Sequence, residues 1–290
     1  MRSDMLNSEF FSSTLLLDGA TGTEMLRRGM PSGSCTDLWI LDHPDAIIEL
    51  QRAYAEAGSQ VVYAPTFTAN RPSLDRHGAD ISVDELCAKL VRLSREAVEG
   101  KALVAGDVAP CGLQPEPVGE TSFEALIGVF RETAQALCAA DVDLFAVETQ
   151  LSLVEARAAV TAIRQVSDKP LLVTFTCGPT GRSLWGDDLT QSALELQSLG
   201  ADAFGINCCG DLELIERLIT EIRQCCTLPL VVKPNAGKPE TREGRSVYAM
   251  TPQTLASYIP RFLASGATVF GGCCGTTPEH IAAIKEQIKN

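Results

Sequence analysis

The segment DLFAVETQLSLVEARAAVTAIRQVSDKPLLVTFT, from Asp143 to Thr176, contains a strand, a helix and a second strand in succession. The runs Leu144–Glu148 and Leu171–Thr176 are apolar over most of their length, as expected of strands that are buried on both faces. Between them, Leu153–Val166 has the apolar spacing of a helix. Strands joined in this way run parallel, with a right-handed crossover. The segment therefore predicts an α/β protein with a parallel sheet.

The same alternation continues in both directions along the chain. Further predicted strands are Leu15–Asp18, Gln60–Pro65, Leu103–Asp107, Ala203–Asn207, Leu230–Lys233 and Thr268–Gly271. Further predicted helices are Asp45–Ala57, Val83–Val98, Ser122–Ala140, Leu212–Cys225 and Pro252–Ala264, and DGATGTEMLRRG adds a short helix after the first strand. Eight strands in a chain of 290 residues favour a closed (β/α)8 TIM barrel, with an open doubly wound sheet as the alternative.

One domain covering residues 1–290 is the simplest interpretation, since the sequence has no evident linker. The most irregular segments each follow a predicted strand. They are Pro110–Thr121, Gly178–Asp188 and Gly237–Ser246. We therefore expect these three segments to be loops at the carboxyl-terminal face of the barrel, where catalytic residues of this architecture lie.

The composition narrows the classes of partner. The formal net charge of -13 argues against nucleic acid and against anionic membranes as main partners, because both attract basic surfaces. We see no signal peptide and no apolar run long enough to span a membrane. Eleven cysteines without a secretory signal fit a reducing cytoplasm, where metal binding or catalysis is a commoner use of cysteine than a disulfide framework.

Two predicted strands end in pairs of cysteines. Strand six is followed by Cys208 and Cys209, and strand eight by Cys273 and Cys274 within GGCCG. Glycine on both sides lets the chain turn sharply, so that adjacent thiolates can reach one ion. Three converging cysteines suit tetrahedral zinc with a fourth position open for substrate. Core packing of these thiols and a vicinal disulfide are the alternatives.

Carboxylates follow two other apolar strands. Asp18 and Glu148 stand at strand ends, where a buried charge needs a partner such as the ammonium group of a substrate. A salt bridge to an Arg or Lys of a loop is the alternative. The small residues after Asp18, in DGATGT, offer backbone N–H groups for a carboxylate. Zinc for sulfur, carboxylates for an amine and amides for a carboxylate together describe an amino acid with a thiol.

With these features, the sequence resembles the zinc-dependent homocysteine S-methyltransferases. The motifs that carry the resemblance are LLLDGATGTEML (Leu15–Leu26), DLFAVETQ (Asp143–Gln150), GINCC (Gly205–Cys209) and GGCCGTTPEHI (Gly271–Ile281), with weaker matches at PTFTAN (Pro65–Asn70) and KPNAG (Lys233–Gly237). They extend over nearly the whole chain, and the last is most similar to the homocysteine-binding module of cobalamin-dependent methionine synthase.

The resemblance assigns roles to individual residues. Zinc ligands, which are also the catalytic residues, would be Cys208, Cys273 and Cys274, and alignment on Asn207 favours Cys208 over Cys209. Contacts to homocysteine would come from Asp18 and Glu148 (amino group) and from the backbone of Gly19 and Ala20 (carboxylate), with Thr66, Asn207 and Asn235 in support. The homocysteine sulfur, held as a thiolate by zinc, would then attack an activated methyl group to give methionine, so that no general base is essential.

The resemblance leaves the methyl donor open. It implies one of three kinds of donor. The first is a methylated corrinoid protein acting in trans, the second is S-methylmethionine or S-adenosylmethionine, and the third is betaine. Enzymes that use betaine typically carry an added C-terminal arm. The similarity to the methionine synthase module favours the corrinoid route. The alternative function is a module that binds homocysteine and zinc but is inactive without partner domains or subunits.

Overall fold

A computed structural model describes residues 10–242 and 245–288. Within these residues, eight parallel strands form one sheet, and they are the strands that the sequence predicts. They are β1 (Leu15–Leu16), β2 (Val61–Tyr63), β3 (Leu103–Val108), β4 (Leu144–Gln150), β5 (Leu171–Phe175), β6 (Ala203–Asn207), β7 (Leu230–Lys233) and β10 (Ala267–Phe270). Between β7 and β10, two short strands, β8 (Glu240–Arg242) and β9 (Arg245–Val247), form a separate antiparallel pair. The order of the eight parallel strands in their sheet is β1-β10-β7-β6-β5-β4-β3-β2.

The sheet closes on itself between its first two strands. Leu17 and Val61 form a parallel bridge, and the Gln60 N–H donates to the Leu16 carbonyl at 2.7 Å. These contacts join β1 to β2, which are the two ends of the strand order. The prediction of a (β/α)8 TIM barrel is confirmed, and the open sheet is excluded.

Helices surround the barrel and connect its strands. They are α1 (Gly22–Arg27), α2 (Thr36–Asp42), α3 (Pro44–Ala57), α4 (Arg71–Arg76), α5 (Val83–Val98), α6 (Phe123–Ala139), α7 (Leu153–Arg164), α8 (Leu189–Ser198), α9 (Leu212–Arg223), α10 (Pro252–Ala256), α11 (Ile259–Ala264) and α12 (Pro278–Ile288), and a 3-10 turn (Phe10–Ser12) precedes β1. Within the described chain, no helix is both long and apolar enough to cross a membrane.

Two of the predicted segments differ from the structure. The predicted helix Pro252–Ala264 is two helices, α10 and α11, because Pro260 lies at the start of the second and has no N–H to continue the first. The segment Gly237–Ser246, predicted as an irregular loop, contains the β8–β9 hairpin, in which Thr241 pairs with Ser246. Helices α2, α4, α8 and α12 were not predicted.

The alternation of side chains along the strands determines what reaches the barrel mouth. Leu144 and Ala146 of β4 belong to the inner core of the barrel, together with Ala105 of β3 and Val231 of β7. Because side chains of a strand alternate between its two faces, the residues two positions beyond Ala146, Ala105 and Val231 also face inward. Those residues are Glu148, Asp107 and Lys233. The inner face therefore changes from apolar to charged at the carboxyl ends of the strands.

Candidate active site

A cavity of about 240 Å³ opens at the carboxyl ends of the barrel strands. Six of the predicted site residues line it: Gly19, Ala20, Glu148, Cys208, Cys273 and Cys274. The other four, Asp18, Thr66, Asn207 and Asn235, are buried in the wall behind the lining. All ten therefore lie at the same end of the barrel, as their positions at strand ends predict.

Three cysteine sulfurs converge at one side of this cavity. The Sγ atoms of Cys208, Cys273 and Cys274 all lie within 4.8 Å of one another, and those of Cys208 and Cys274 are 3.9 Å apart. Cys208 follows β6 with a left-handed backbone, at φ 53°. The structure thus brings together the three cysteines that the resemblance indicates, in a group that could hold a metal ion.

The turn that carries the adjacent cysteines depends on glycine. A Cβ on Gly272 would lie 2.3 Å from Thr276 Oγ1, and this hydroxyl donates to the Cys273 carbonyl at 2.7 Å. The turn is also fixed to neighbouring strands, since the Gly272 N–H donates to the Asp18 carbonyl at 2.9 Å and the Cys273 N–H to the Pro234 carbonyl at 2.7 Å. Backbone and side-chain bonds therefore orient both sulfurs.

The pKa values of two of these thiols are shifted in opposite directions. Hydrogen bonds to Cys273 and Cys274 raise the pKa of Cys208, while hydrogen bonds from Cys208 and Cys273 lower the pKa of Cys274. A group of sulfurs that holds one of its members as a thiolate is a suitable ligand set for a cation. Cys209 lies outside the group, because its Sγ is directed toward the Asp211 carbonyl, 4.0 Å away.

Lys233 is a residue of this site that the sequence analysis did not single out. Its Nζ lies 3.3 Å from Asp18 Oδ1 and 3.7 Å from Glu148 Oε2, and 4.0 Å from the centre of the Tyr63 ring. Burial alone lowers the pKa of a lysine, but Asp18 and Glu148 raise that of Lys233 well above its usual range, so it is an ammonium. The sequence did contain a signal for this residue, because Lys233 is a charged residue at the end of the apolar run PLVVKP.

The carboxylates beside Lys233 are not equivalent. Asp18 is fully buried, and its Oδ2 accepts the Tyr63 N–H at 2.8 Å. Glu148 lines the cavity, and burial raises its pKa to about 7 despite the opposing charge of Lys233. The salt bridge expected as the alternative for these carboxylates is present, and its lysine comes from a strand and not from a loop.

Asn207 connects the carboxylate to the sulfurs. Its Nδ2 donates to Glu148 Oε2 at 3.1 Å and to Thr149 Oγ1 at 2.7 Å, and lies 4.0 Å from Cys273 Sγ. Its Oδ1 accepts the Thr149 N–H at 3.0 Å. Since Asn207 is fully buried, these bonds fix the position of Glu148 relative to Cys273.

The remaining predicted residues stabilise the loops around the cavity. Thr66 Oγ1 donates to the Asp107 carbonyl at 2.9 Å and accepts its N–H at 3.1 Å. The Asn235 N–H donates to the Cys209 carbonyl at 2.9 Å. The Ala20 N–H already donates to Thr276 Oγ1 at 3.1 Å, so an anion at this loop would depend on Gly19 and on the first N–H groups of α1, which have no acceptor within the helix.

Two further carboxylates line the cavity, and the sequence analysis assigned neither of them a role. They are Asp107, at the end of β3, and Asp37, in α2. Burial raises the pKa of Asp107 well above its usual range, with a contribution from the charge of Glu148. Burial also raises the pKa of Asp37 to about 7. Asp107 was visible in the sequence as a strand-end acid, whereas Asp37 lies in a helix that was not predicted.

Comparison with known proteins finds a matching family model and similar curated proteins. Residues 15–288 match the family model described as "Homocysteine S-methyltransferase". The chain is 28% identical over 294 residues to methionine synthase from Mycobacterium tuberculosis (strain ATCC 25618 / H37Rv), a match that covers 94% of this chain and 24% of that protein. The methionine synthase of Mycobacterium leprae (strain TN) is also 28% identical, over 288 residues, with 92% and 24% covered. The chain therefore spans about a quarter of the length of these curated relatives.

Among solved structures, the homocysteine methyltransferase MmuM from Escherichia coli is similar over its entire length. Its metallated form superposes with a TM-score of 0.81 at 28% identity, covering 97% of this chain and 100% of that one. Its apo form gives a TM-score of 0.74 at 30% identity, covering 95% and 96%.

Proposed function

Because the chain belongs to the homocysteine S-methyltransferase family, we propose that it transfers a methyl group to the thiol of homocysteine and so forms methionine. The observation that carries this proposal is the group of three cysteine sulfurs beside Glu148, in one cavity at the carboxyl ends of the barrel strands. Homocysteine has a thiol, which could bind a metal ion held by the three cysteines, and an amino group, which could bind the Glu148 carboxylate.

The sulfur ligands favour zinc as the metal. Three thiolates fit a tetrahedral zinc site that keeps its fourth position for substrate, and Cys208, Cys273 and Cys274 would hold the ion. When bound, zinc supplies a Lewis acid that lowers the pKa of a thiol and keeps it as the nucleophilic thiolate at neutral pH. The chain does not need to provide a general base for this step.

The residues around the sulfurs would position the amino acid. We assign the homocysteine ammonium to Glu148, which lines the cavity and is oriented by Asn207. Asp18, the other residue that the resemblance assigns to the ammonium, is fully buried behind the lining and pairs with Lys233. The carboxylate of homocysteine would meet Gly19, Ala20 and the start of α1. Thr66 and Asn235 would support the neighbouring loops.

The donor is a separate part of the proposal. Similarity to the homocysteine methyltransferase MmuM over its entire length supports methyl transfer to homocysteine, and the family resemblance implies S-methylmethionine or S-adenosylmethionine as a small donor. Similarity to about a quarter of two methionine synthases supports a methylated corrinoid protein acting in trans. The same coverage supports the second candidate function, a module that binds homocysteine and zinc and is inactive without its partners.

A cytoplasmic location stays a prediction.

A donor panel tests the proposed function. The purified zinc-loaded protein is incubated with homocysteine and, in turn, with S-methylmethionine, S-adenosylmethionine, betaine and methylcobalamin, and methionine is quantified. Methionine formation that is lost in Cys273→Ala supports the transferase. Tight, zinc-dependent homocysteine binding without methionine from any donor supports the binding module. Undiminished activity of a metal-free Cys273→Ala protein would contradict both.

A further inference from the structure

Two cysteines near the metal group have no role in the proposed reaction. Cys177 is half-buried and Cys209 is buried, and each lies two residues beyond the end of its strand, β5 and β6 respectively. Both are free thiols, and neither belongs to the group of three sulfurs or to the lining of the cavity. Because Cys209 directly follows Cys208 in the chain, any reaction of this thiol takes place next to a proposed zinc ligand.

The sheet brings these two residues side by side. Strands β5 and β6 are hydrogen-bonded neighbours, and neighbouring strands lie about 4.8 Å apart. The two chains stay together beyond the strand ends, since the Thr176 hydroxyl donates to the Cys208 carbonyl at 3.2 Å. Cys177 and Cys209 are the next residue in each chain. A disulfide needs Cα atoms about 4.4–6.8 Å apart, which is the separation of residues on adjacent chains of a sheet.

The side chains of the two residues also meet. Cys209 belongs to the large apolar cluster that the strands form with the surrounding helices, and Cys177 packs against this cluster. Their thiols hydrogen-bond to each other. A thiol–thiol hydrogen bond places the two sulfurs in contact, so that a covalent bond between them requires a shift of side chains and not of the backbone.

The arrangement is that of a dithiol and not of a second metal site. A catalytic zinc site takes three protein ligands, and this pair supplies two sulfurs. Redox-active cysteines occur instead as pairs, in which an accessible thiol is oxidised and its neighbour resolves the product. Cys177 has the accessibility for the first role, and Cys209, which is 6% exposed, suits the second. In a reducing compartment, disulfides of this kind are transient.

We propose that Cys177 and Cys209 form a reversible disulfide by exchange with small organic disulfides, while the three cysteines of the metal group keep their ion. One protein thiol attacks a sulfur of the small disulfide, whose S–S bond breaks, and a mixed disulfide forms as the first small thiol leaves. The other protein thiol attacks the protein sulfur of this mixed disulfide and displaces the second small thiol. The protein loses two electrons and two protons, and the small disulfide gains them as two thiols. Homocysteine is itself a thiol whose oxidised form is a disulfide of this class.

The disulfide would cross-link the turn that carries Cys208. The Cys209 carbonyl accepts the Asn235 N–H at 2.9 Å, so this turn is already joined to the chain after β7. A bond to Cys177 joins it to the chain after β5 as well, and closes the loop that contains α8. Such a cross-link lowers the entropy of the unfolded chain, so oxidation should raise the midpoint of thermal unfolding by about 5 °C or more. Zinc and activity should be retained, because no metal ligand is consumed.

A disulfide map of the unsubstituted protein is the first test. Zinc-loaded protein is equilibrated with mixtures of 2-mercaptoethanol and its disulfide, the remaining thiols are alkylated, and cross-linked peptides are identified by mass spectrometry. We expect one disulfide, between Cys177 and Cys209. The ratio of oxidised to reduced protein should fall with the square of the 2-mercaptoethanol concentration, because two small thiols are released, whereas a mixed disulfide follows the first power. No bond between these two cysteines, or an earlier bond within the metal group, would overturn the inference.

Thermal unfolding of matched variants is the second test. Cys177→Ser and Cys209→Ser each leave one thiol of the pair, and Cys225→Ser removes an exposed cysteine as the control. Oxidation should raise the midpoint of the unsubstituted protein and of the control by the same amount, and should leave both pair variants unshifted. Zinc content should be the same in all four proteins. A midpoint shift that persists in either pair variant, or release of zinc when the unsubstituted protein is oxidised, would contradict the proposal.

The test of this disulfide is separate from the test of turnover. The inference goes beyond the proposed function, since the map and the midpoints are measured without a methyl donor. Failure of every donor to give methionine would contradict the proposed function and leave the disulfide unaffected. Absence of the disulfide from a protein that forms methionine would overturn this inference alone. If a serine variant does not fold, the map of the unsubstituted protein still decides.

Discussion

Asn207 Nδ2 donates a hydrogen bond of 3.1 Å to Glu148 Oε2, and the two residues come from strands β6 and β4, which are separated by β5. The same nitrogen lies 4.0 Å from Cys273 Sγ. One buried amide therefore sets the distance between the proposed ammonium site and the proposed thiol site. Recognition of an amino acid by its two ends depends on such a fixed separation.

Replacing Asn207 should affect homocysteine binding more than metal binding. In Asn207→Asp, the donor to Glu148 becomes a second carboxylate, so Glu148 is repelled and is no longer held in place. We expect KM for homocysteine to rise about 10- to 100-fold, with zinc content unchanged. Steady-state kinetics and metal analysis of the same preparation test this. Loss of zinc at an unchanged KM would show that Asn207 serves the cysteines instead.

The metal should depend on three cysteines and not on their neighbour. Cys208→Ala, Cys273→Ala and Cys274→Ala each remove one sulfur of the group, so zinc content should fall from about one per chain to a small fraction and activity by about 100-fold or more. Cys209→Ala is the matched control, because its sulfur is directed to the Asp211 carbonyl. X-ray absorption at the zinc edge should show a sulfur environment. Zinc loss in Cys209→Ala alone would reassign the ligand.

Lys233 should be important for stability as well as activity. Lys233→Met leaves Asp18 and Glu148 without their cation, and breaking a buried ion pair in this way costs about 3–5 kcal/mol in the free energy of unfolding. Adding Asp18→Asn to Lys233→Met removes one of the stranded charges and should restore part of that loss. Urea unfolding of both single variants and the double variant measures the coupling. Strict additivity would argue against the ion pair.

The raised pKa of Asp37 predicts a dependence of stability on pH. Burial raises this pKa from 3.8 to about 7, so the folded protein holds the proton more tightly than the unfolded chain does. The stabilisation is complete below pH about 4 and is lost as the pH rises toward 7. Asp37→Asn lacks this titration, so its unfolding free energy should fall less over this range. Parallel curves for the two proteins would contradict the assignment.

Gly272 should tolerate no side chain. The Cβ of Gly272→Ala would meet Thr276 Oγ1 at 2.3 Å, which displaces the turn that carries both cysteines, so zinc content and thermal stability should both fall. Gly128→Ala is the control, since nothing lies within 4 Å of its Cβ in helix α6. There we expect a gain of about 0.5–1 kcal/mol. A zinc-replete Gly272→Ala protein would argue against a rigid turn.

Sequence patterns predicted the barrel and the meeting of cysteines from two strand ends, because the strands are local apolar runs and the carboxyl ends of parallel barrel strands share one face, whereas the choice of Cys208 over Cys209 came from the family resemblance. Buried parallel strands are apolar runs, and GGCCG places two sulfurs at one strand end whatever the rest of the chain does. The ion pair of Lys233 with Asp18 was not predictable in the same way, because it depends on residues 215 positions apart in the chain (233 − 18) that meet only when β10 joins β1 to β7.

Short helices were the other feature that sequence patterns missed. Helix α2, which carries Asp37, has seven residues and helix α4 has six, too few for a clear apolar period. Helix α8 has ten residues and still escaped prediction. Asp37, which lines the cavity, was missed for this reason. Asp37 could not be placed at the barrel mouth without the helix that brings it there.

Methionine formation from homocysteine and S-methylmethionine is the most direct test of the central claim, that homocysteine is methylated at the three cysteines. Zinc-loaded protein, chelator-treated protein and Cys273→Ala are assayed side by side. We predict methionine formation in the first, loss of activity in the second with recovery on adding zinc, and no recovery in the third. Activity in Cys273→Ala equal to that of the zinc-loaded protein would contradict the claim.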